Sequence, residues 1–181
     1  MTLGVDFHGV LAGAKCGAEW AWAAIYRDLV GPVTGYLFAR GAADADDLAS
    51  ETFFQVARDI ASFEGEERGF RSWVFAIAHH RLLDSRRAAQ RRPRVTALVE
   101  PVPEPAGGNT EDEALDRLAT AQVLAALERL TEDQRAVIAL RVIGDLSLEQ
   151  TAQVLARRTG AVKALQHRAL LALQREIENP E

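Results

Sequence analysis

"SLEQTAQVLARRTGAVKALQHRALLAL", residues 147–173, is the stretch on which the fold turns. Ser147, followed three residues later by Gln150, fits a capping box, in which the hydroxyl accepts from the third helical N–H and the amide side chain reaches back. The spacing sets Leu148, Thr151, Ala152 and Leu155 on one inward face. It then predicts a break over 156–160 and a second inward face at Val162, Leu165, Ala169 and Leu173. A helix of about two turns, a tight break and a second helix make a helix-turn-helix layout. Arg157, Arg158 and Thr159 lead the second helix, and Lys163, Gln166, His167 and Arg168 fall toward its open side. Such a helix can enter a major groove, its leading end offering cations and N–H groups to phosphates and its longer donors reaching base edges. An ordinary solvated helix face is the competing reading of this stretch taken alone.

The formal charge of -5 over 181 residues hides a block pattern. Residues 44–67 hold eight acids against one Arg, and residues 68–94 hold eight Arg against Asp84. Residues 95–133 hold nine acids against two Arg, and residues 134–175 hold seven bases against two acids. Alternating blocks imply two modules, each with one face for a polyanion and another for something different. An apolar content of 48% is enough for real cores and excludes disorder throughout. No apolar run approaches the roughly 20 residues that cross a bilayer, and the amino terminus lacks the order of a secretory signal, so the expected location is the cytoplasm. Cys16 is single, so neither an internal disulfide nor a zinc knuckle is expected, and an unreactive thiol near a loose terminus is the simpler reading.

"PRVTALVEPVPEPAGGNTEDE" combines a Pro cluster, Gly-Gly and an acidic run without helical or strand period, and reads as an extended, self-repelling linker. Helical periodicity flanks it on both sides. The fold class expected is all-α, with two small helical domains joined by a flexible linker. The boundaries are a flexible amino terminus at 1–18, a first domain at 19–92, the linker at 93–113 and a second domain at 114–178. In the first domain Trp22, Ile25, Leu29, Val33 and Leu37 form one buried stripe, with Pro32 expected to kink that helix or start another. Asp44 is the expected N-cap of a helix whose Leu48, Thr52, Val56 and Ile60 recur every fourth residue and whose other side is acidic. In "FRSWVFAIAHHRLLDSRR", Phe70, Trp73, Val74, Ile77 and Leu82 are set inward, leaving Arg71, Phe75, His79, Arg86 and Arg87 outside. Thr131 with Gln134 repeats the capping box of Ser147.

An exposed Phe75 and His79 beside many Arg could stack unpaired bases and hold their backbone, or Phe75 could simply pack under a neighbouring loop. His80 and Asp84 sit one turn apart with His79 adjacent, which raises a metal-dependent hydrolase as one hypothesis. Two ligands are too few, and a surface hydrogen bond between His80 and Asp84 is the expectation; no metal and no cofactor are expected. No Gly-rich phosphate loop, nucleophile elbow or catalytic acid pair is present in the sequence, so the chain is not expected to be an enzyme.

Two segments carry a family resemblance. "DADDLASETFFQVARDIASFEGEERGFRSWVFAIAHHRLLDSRR" resembles the core of sigma domain 2, and "ALERLTEDQRAVIALRVIGDLSLEQTAQVLARRTGAVKALQHRALLAL" resembles sigma domain 4. In that order, with a short linker, they are similar to an extracytoplasmic-function (ECF) sigma factor of the sigma-70 family over nearly the whole chain. The resemblance implies promoter recognition as a subunit of RNA polymerase. Asp47, Leu48, Glu51, Phe54 and Arg58 would dock on the clamp of the largest subunit. Arg71, Phe75, His79, His80, Arg86 and Arg87 would melt and hold the minus-10 element. Domain 4 would dock on the flap of the second-largest subunit and read the minus-35 element through Arg157, Arg158, Thr159, Lys163, Gln166, His167 and Arg168. An anti-sigma factor is a further implied partner, and membrane insertion is not implied. The chain departs from the family pattern at Ser50, Ala57, His79, His80, Leu165 and Gln166, at Arg158 in place of a Ser cap, and at Ala156 in place of a turn Gly. The alternative is a stand-alone helix-turn-helix regulator, which has no need of an acidic helix over residues 44–59.

Overall fold

A computed structural model of the chain describes residues 6–91 and 125–178, all of whose regular elements are helical. The expected linker at 93–113, and the expected start of the second domain over 114–124, lie outside the described residues. In chain order the helices are α1 (Phe7–Lys15), α2 (Glu19–Ala39), α3 (Ala45–Asp59) with a 3₁₀ turn at Ile60–Ser62, and α4 (Glu67–Arg91). After helical residues 125–128 come α5 (Glu132–Val142), α6 (Leu148–Val154) and α7 (Thr159–Glu178).

Residues 6–18 differ from the loose terminus expected over 1–18. Phe7, Val10, Leu11 and Ala14 recur at steps of three and four and are buried in α1, against α2 and the aromatic side of α4, where Phe7 and Phe70 rings lie 5.7 Å apart. Burying a side chain of Leu or Phe size stabilises by about 1.5–3 kcal/mol, enough to hold this short helix in place. Cys16, exposed, closes it as C-cap. α2 runs unbroken through Pro32, whose ring removes the bond to the Asp28 carbonyl but leaves the buried stripe of Ile25, Leu29, Val33 and Leu37 intact on both sides. Packing along that stripe outweighs a local cost of about 3 kcal/mol. α3 starts where expected: the Asp44 carboxylate accepts from the Asp47 N–H at 2.9 Å. Leu48, Thr52, Val56 and Ile60 are all buried, and the Thr52 hydroxyl donates to the Leu48 carbonyl at 2.7 Å.

Both expected capping boxes of the second half are present, Thr131 with Gln134 opening α5 and Ser147 with Gln150 opening α6. Five successive residues of α5, Ala136 to Leu140, are buried, because α5 is enclosed by α6 and α7 on one side and α2 on the other. The helix-turn-helix has a small core of its own, Val137, Ala152 and Val162 with Leu148, Leu155 and Leu165. Ile138, Leu140, Leu146, Val154 and Ala169 belong instead to the main core, continuous with Ile25, Leu29 and Phe75 of the first half. The two halves are therefore packed together, α4 against α6 and α2 against α5.

Candidate nucleic-acid interface

The turn between α6 and α7 falls where the sequence puts it. Arg157 N–H bonds to the Ala152 carbonyl at 2.9 Å, and Ala156 takes a left-handed φ of 51°. From there α7 projects with Val162 and Ala169 buried and with Thr159, Lys163, His167 and Arg168 exposed on the opposite side. Its first turn has no carboxylate, so nothing of its own opposes a phosphate approaching the positive end of the helix dipole. Arg158 is exposed at that end. Two residues of the expected reading surface have other duties. Arg157 grips Asp133 of α5 through both carboxylate oxygens at 2.7 and 2.8 Å, and half-buried Gln166 accepts from Arg141 Nε at 3.2 Å. Both fix the pose of α7 on its own domain and leave Lys163, His167 and Arg168 as the open donors.

α4 departs from the expectation of an open basic face. Phe75 is 0% exposed and stands edge-on to Tyr36 at 5.6 Å, with the Arg71 guanidinium 5.7 Å over its ring. His79 is 8% exposed and its Nδ1 shares a hydrogen bond of 2.8 Å with the Tyr36 hydroxyl. The outward reading of Phe75 and His79 is therefore corrected: one helical stripe assumes one covered side, whereas α4 packs against α2, α3 and α6. Trp73, set inward by the same reasoning, is only half-buried, stacked at the edge of the core beside Phe63. Burial is also the main reason His79 is pushed down to about 4, with the charges of Arg40, His80 and Arg86 adding to it and Glu132 opposing. Burial likewise pushes the Tyr36 phenol up to about 12, so the pair is held neutral across the ordinary pH range. His80 is exposed, and the Asp84 carboxylate takes Arg87 at 3.2 Å, a pairing other than the expected His80–Asp84 bond. Among the described residues no cluster of three metal-ligating side chains forms.

The cations of α4 are largely committed. Arg71 donates from Nε to the Gly144 carbonyl in the α5–α6 turn at 2.6 Å and faces Asp28 at 3.5 Å. Desolvation by burial pushes the Asp28 carboxyl up, against the pull of Arg71. Arg81 donates to Gln55 at 2.8 Å. Arg86 reaches both the Glu132 carboxylate at the start of α5 and the Arg40 carbonyl at the end of α2. A third bridge runs the other way, from Gln150 of α6 to the Arg68 carbonyl at 2.6 Å.

α3 turns its acidic side to solvent. Asp47, Glu51, Phe54 and Arg58 follow one another at steps of three and four, all exposed, and Phe54 stands out at 73%. Leu48, grouped with them by resemblance, is instead in the core at 9%. An apolar ring amid carboxylates on a rigid helix suits a protein partner better than a polyanion.

The description of sigma-70 region 2 matches residues 23–92, and that of sigma-70 region 4 matches residues 120–173. ShbA, an ECF RNA polymerase sigma factor of Streptomyces griseus, is 37% identical over 132 residues, covering 71% of this chain and 69% of its own. This chain belongs to the ECF family of RNA polymerase sigma factors. BldN, the ECF sigma factor of Streptomyces coelicolor, is 33% identical over 164 residues, 90% of this chain but 62% of BldN. This sigma factor thus spans less than two thirds of that relative's length. The solved structure of CnrH in complex with the cytosolic domain of CnrY shares its fold, with a TM-score of 0.68 and 21% identity over 95% of this sigma factor and 97% of that chain. No described helix of this sigma factor is long and apolar enough to cross a membrane. Sequence reasoning missed Arg40 and Glu132, one of the pairs through which its two halves meet. An Arg at a helix end and a Glu in a first turn are ordinary capping choices, and only the packed halves bring them together.

Proposed function

We propose that this chain is a promoter-specificity subunit, acting in the cytoplasm with core RNA polymerase and promoter DNA, and a binding protein rather than a catalyst in its own right. The observation that carries this reading is the open donor face of α7, with Lys163, His167 and Arg168 exposed on the second helix of a helix-turn-helix. Those three residues read the minus-35 duplex, while Arg158, Thr159 and the first-turn N–H groups hold its phosphates. Arg157 and Gln166 position the helix. On the first half, Asp47, Glu51, Phe54 and Arg58 dock on the polymerase clamp. His80, Arg86 and Arg87, with Arg71 once its bridge opens, hold the melted minus-10 strand. Phe75 and His79 support that helix from inside. An anti-sigma factor is the partner that would keep the chain from polymerase. The family membership and the acidic side of α3 favour this reading over a stand-alone regulator.

Reconstitution with core polymerase on genomic fragments, with mapping of transcript starts, tests the proposal. Discrete starts that require this chain are expected. Tight duplex binding by the free chain, with no start dependent on it and no polymerase recovered with it, would favour the stand-alone regulator.

A further inference from the structure

Arg40 is 2% exposed at the C-terminal end of α2, a deep position for a guanidinium. Burying an ion without a counter-ion costs several kcal/mol, so its partner matters. That partner comes from the other half of the molecule. Arg40 Nη1 donates to the Glu132 carbonyl at 2.6 Å, and Nη2 faces the Glu132 carboxylate at 3.3 Å. Arg86 Nη1 donates to the same carboxylate oxygen, and Arg86 Nη2 to the Arg40 carbonyl, which locks the two guanidiniums side by side. Arg135 lines the same cleft of about 470 Å³, together with Ala89 and Gln90. Among the described residues Glu132 is the one acid on its walls, and its side chain is 65% exposed. The fit is incomplete, because Arg40 Nε is buried without an acceptor.

We infer that Arg40 and Arg86 form an anion-binding fork whose ligand is a backbone phosphate of single-stranded DNA, and that Glu132 occupies the fork in the closed form as a stand-in. A phosphate offers more acceptor oxygens than a carboxylate and suits a pair of guanidiniums. When α5 withdraws, a buried cation loses its counter-ion, and a phosphate restores it. The Glu132 contact therefore withholds Arg86 from DNA until the halves part. This inference rests on the promoter reading above, and deepens it by adding Arg40 to the strand-holding surface.

The test uses the full chain carrying Glu132→Gln, which keeps the size of the side chain and removes its charge, with thermal unfolding recorded beside it. Fluorescence anisotropy with a short labelled single-stranded oligonucleotide, without polymerase, should show binding about tenfold tighter than wild type. The gain should fall with salt and vanish in Glu132→Gln/Arg86→Gln. Unchanged affinity in a folded Glu132→Gln variant overturns the fork. Stabilisation of that variant by inorganic phosphate alone, with no gain for the oligonucleotide, also overturns it, assigning the fork to a small free anion. Tighter binding by a chain that supports no promoter-dependent start would leave the fork standing and overturn the promoter reading instead.

Discussion

α4 and α7 both lie in basic blocks of the sequence, and the molecule treats their cations in opposite ways. α7 has one covered side, formed by α5 and α6, so Lys163, His167 and Arg168 stay at the surface. α4 lies between the halves, and Arg71, Arg81, Arg86 and Arg87 each already hold an acceptor of this chain. The sign of a charge block is legible in composition, but its availability depends on how many neighbours the helix has. In the closed form the cations of α7 face solvent, whereas Arg71 and Arg86 of α4 are held by Gly144 and Glu132 of the other half.

The strongest way to break the contrast is at α7. Lys163→Ala with Arg168→Ala should lower transcription from the cognate promoter by about 100-fold or more, since each specific base contact is worth about 1–3 kcal/mol. Recovery of the chain with core polymerase should stay near the wild-type level, and an equal loss in both assays would undo the separation of roles. On the α4 side the contrast sharpens through His79. Its folded value lies below its unfolded one, so between about pH 6.5 and about pH 4 the unfolded chain binds a proton that the folded chain refuses. Stability should fall as pH drops through that window, by up to about 3 kcal/mol. Urea unfolding of wild type and His79→Gln across the window isolates the effect, because the carboxylates titrate alike in both. Parallel curves would mean that His79 is wetter than its surroundings imply. The smallest effect is expected at the hinge of α7. Ala156 holds a left-handed φ of 51°, which disfavours an L side chain, so Ala156→Gly should add about 1 kcal/mol in thermal unfolding and leave duplex binding unchanged.

How much could be seen beforehand follows the range of the physics involved. The Asp44 cap, the Thr131 and Ser147 capping boxes, the turn before α7 and the outward Lys163 and Arg168 are settled within a few residues of each site, and local spacing carries them. The apolar steps of α2 likewise survive Pro32, because packing outweighs one lost bond. The burial of Phe75 and His79 is not legible in the spacing, because the cover over α4 is contributed by residues far along the chain such as Tyr36. The helix at Phe7–Lys15 escapes because its nine residues, four of them Gly or Ala, carry little signal until α2 and Phe70 supply a surface to lie on. The partnership of Arg40 with Glu132, 92 positions apart, belongs wholly to tertiary structure.

The links between the halves include three in which a side chain on one side seizes main-chain oxygen on the other: Arg40 on Glu132, Arg71 on Gly144 and Gln150 on Arg68. Every amino acid supplies that oxygen, so a change at Arg68 leaves its hook engaged. Gly144, where a Cβ would meet the Leu140 carbonyl oxygen at 2.6 Å, and Glu132, whose carboxylate also holds Arg40 and Arg86, have no such latitude, and a change at any of the three hooking residues releases one. Closure of this molecule is thereby more forgiving at Arg68 than at Gln150, Gly144 or Glu132, an asymmetry that would show up as uneven tolerance in a saturation-mutagenesis screen.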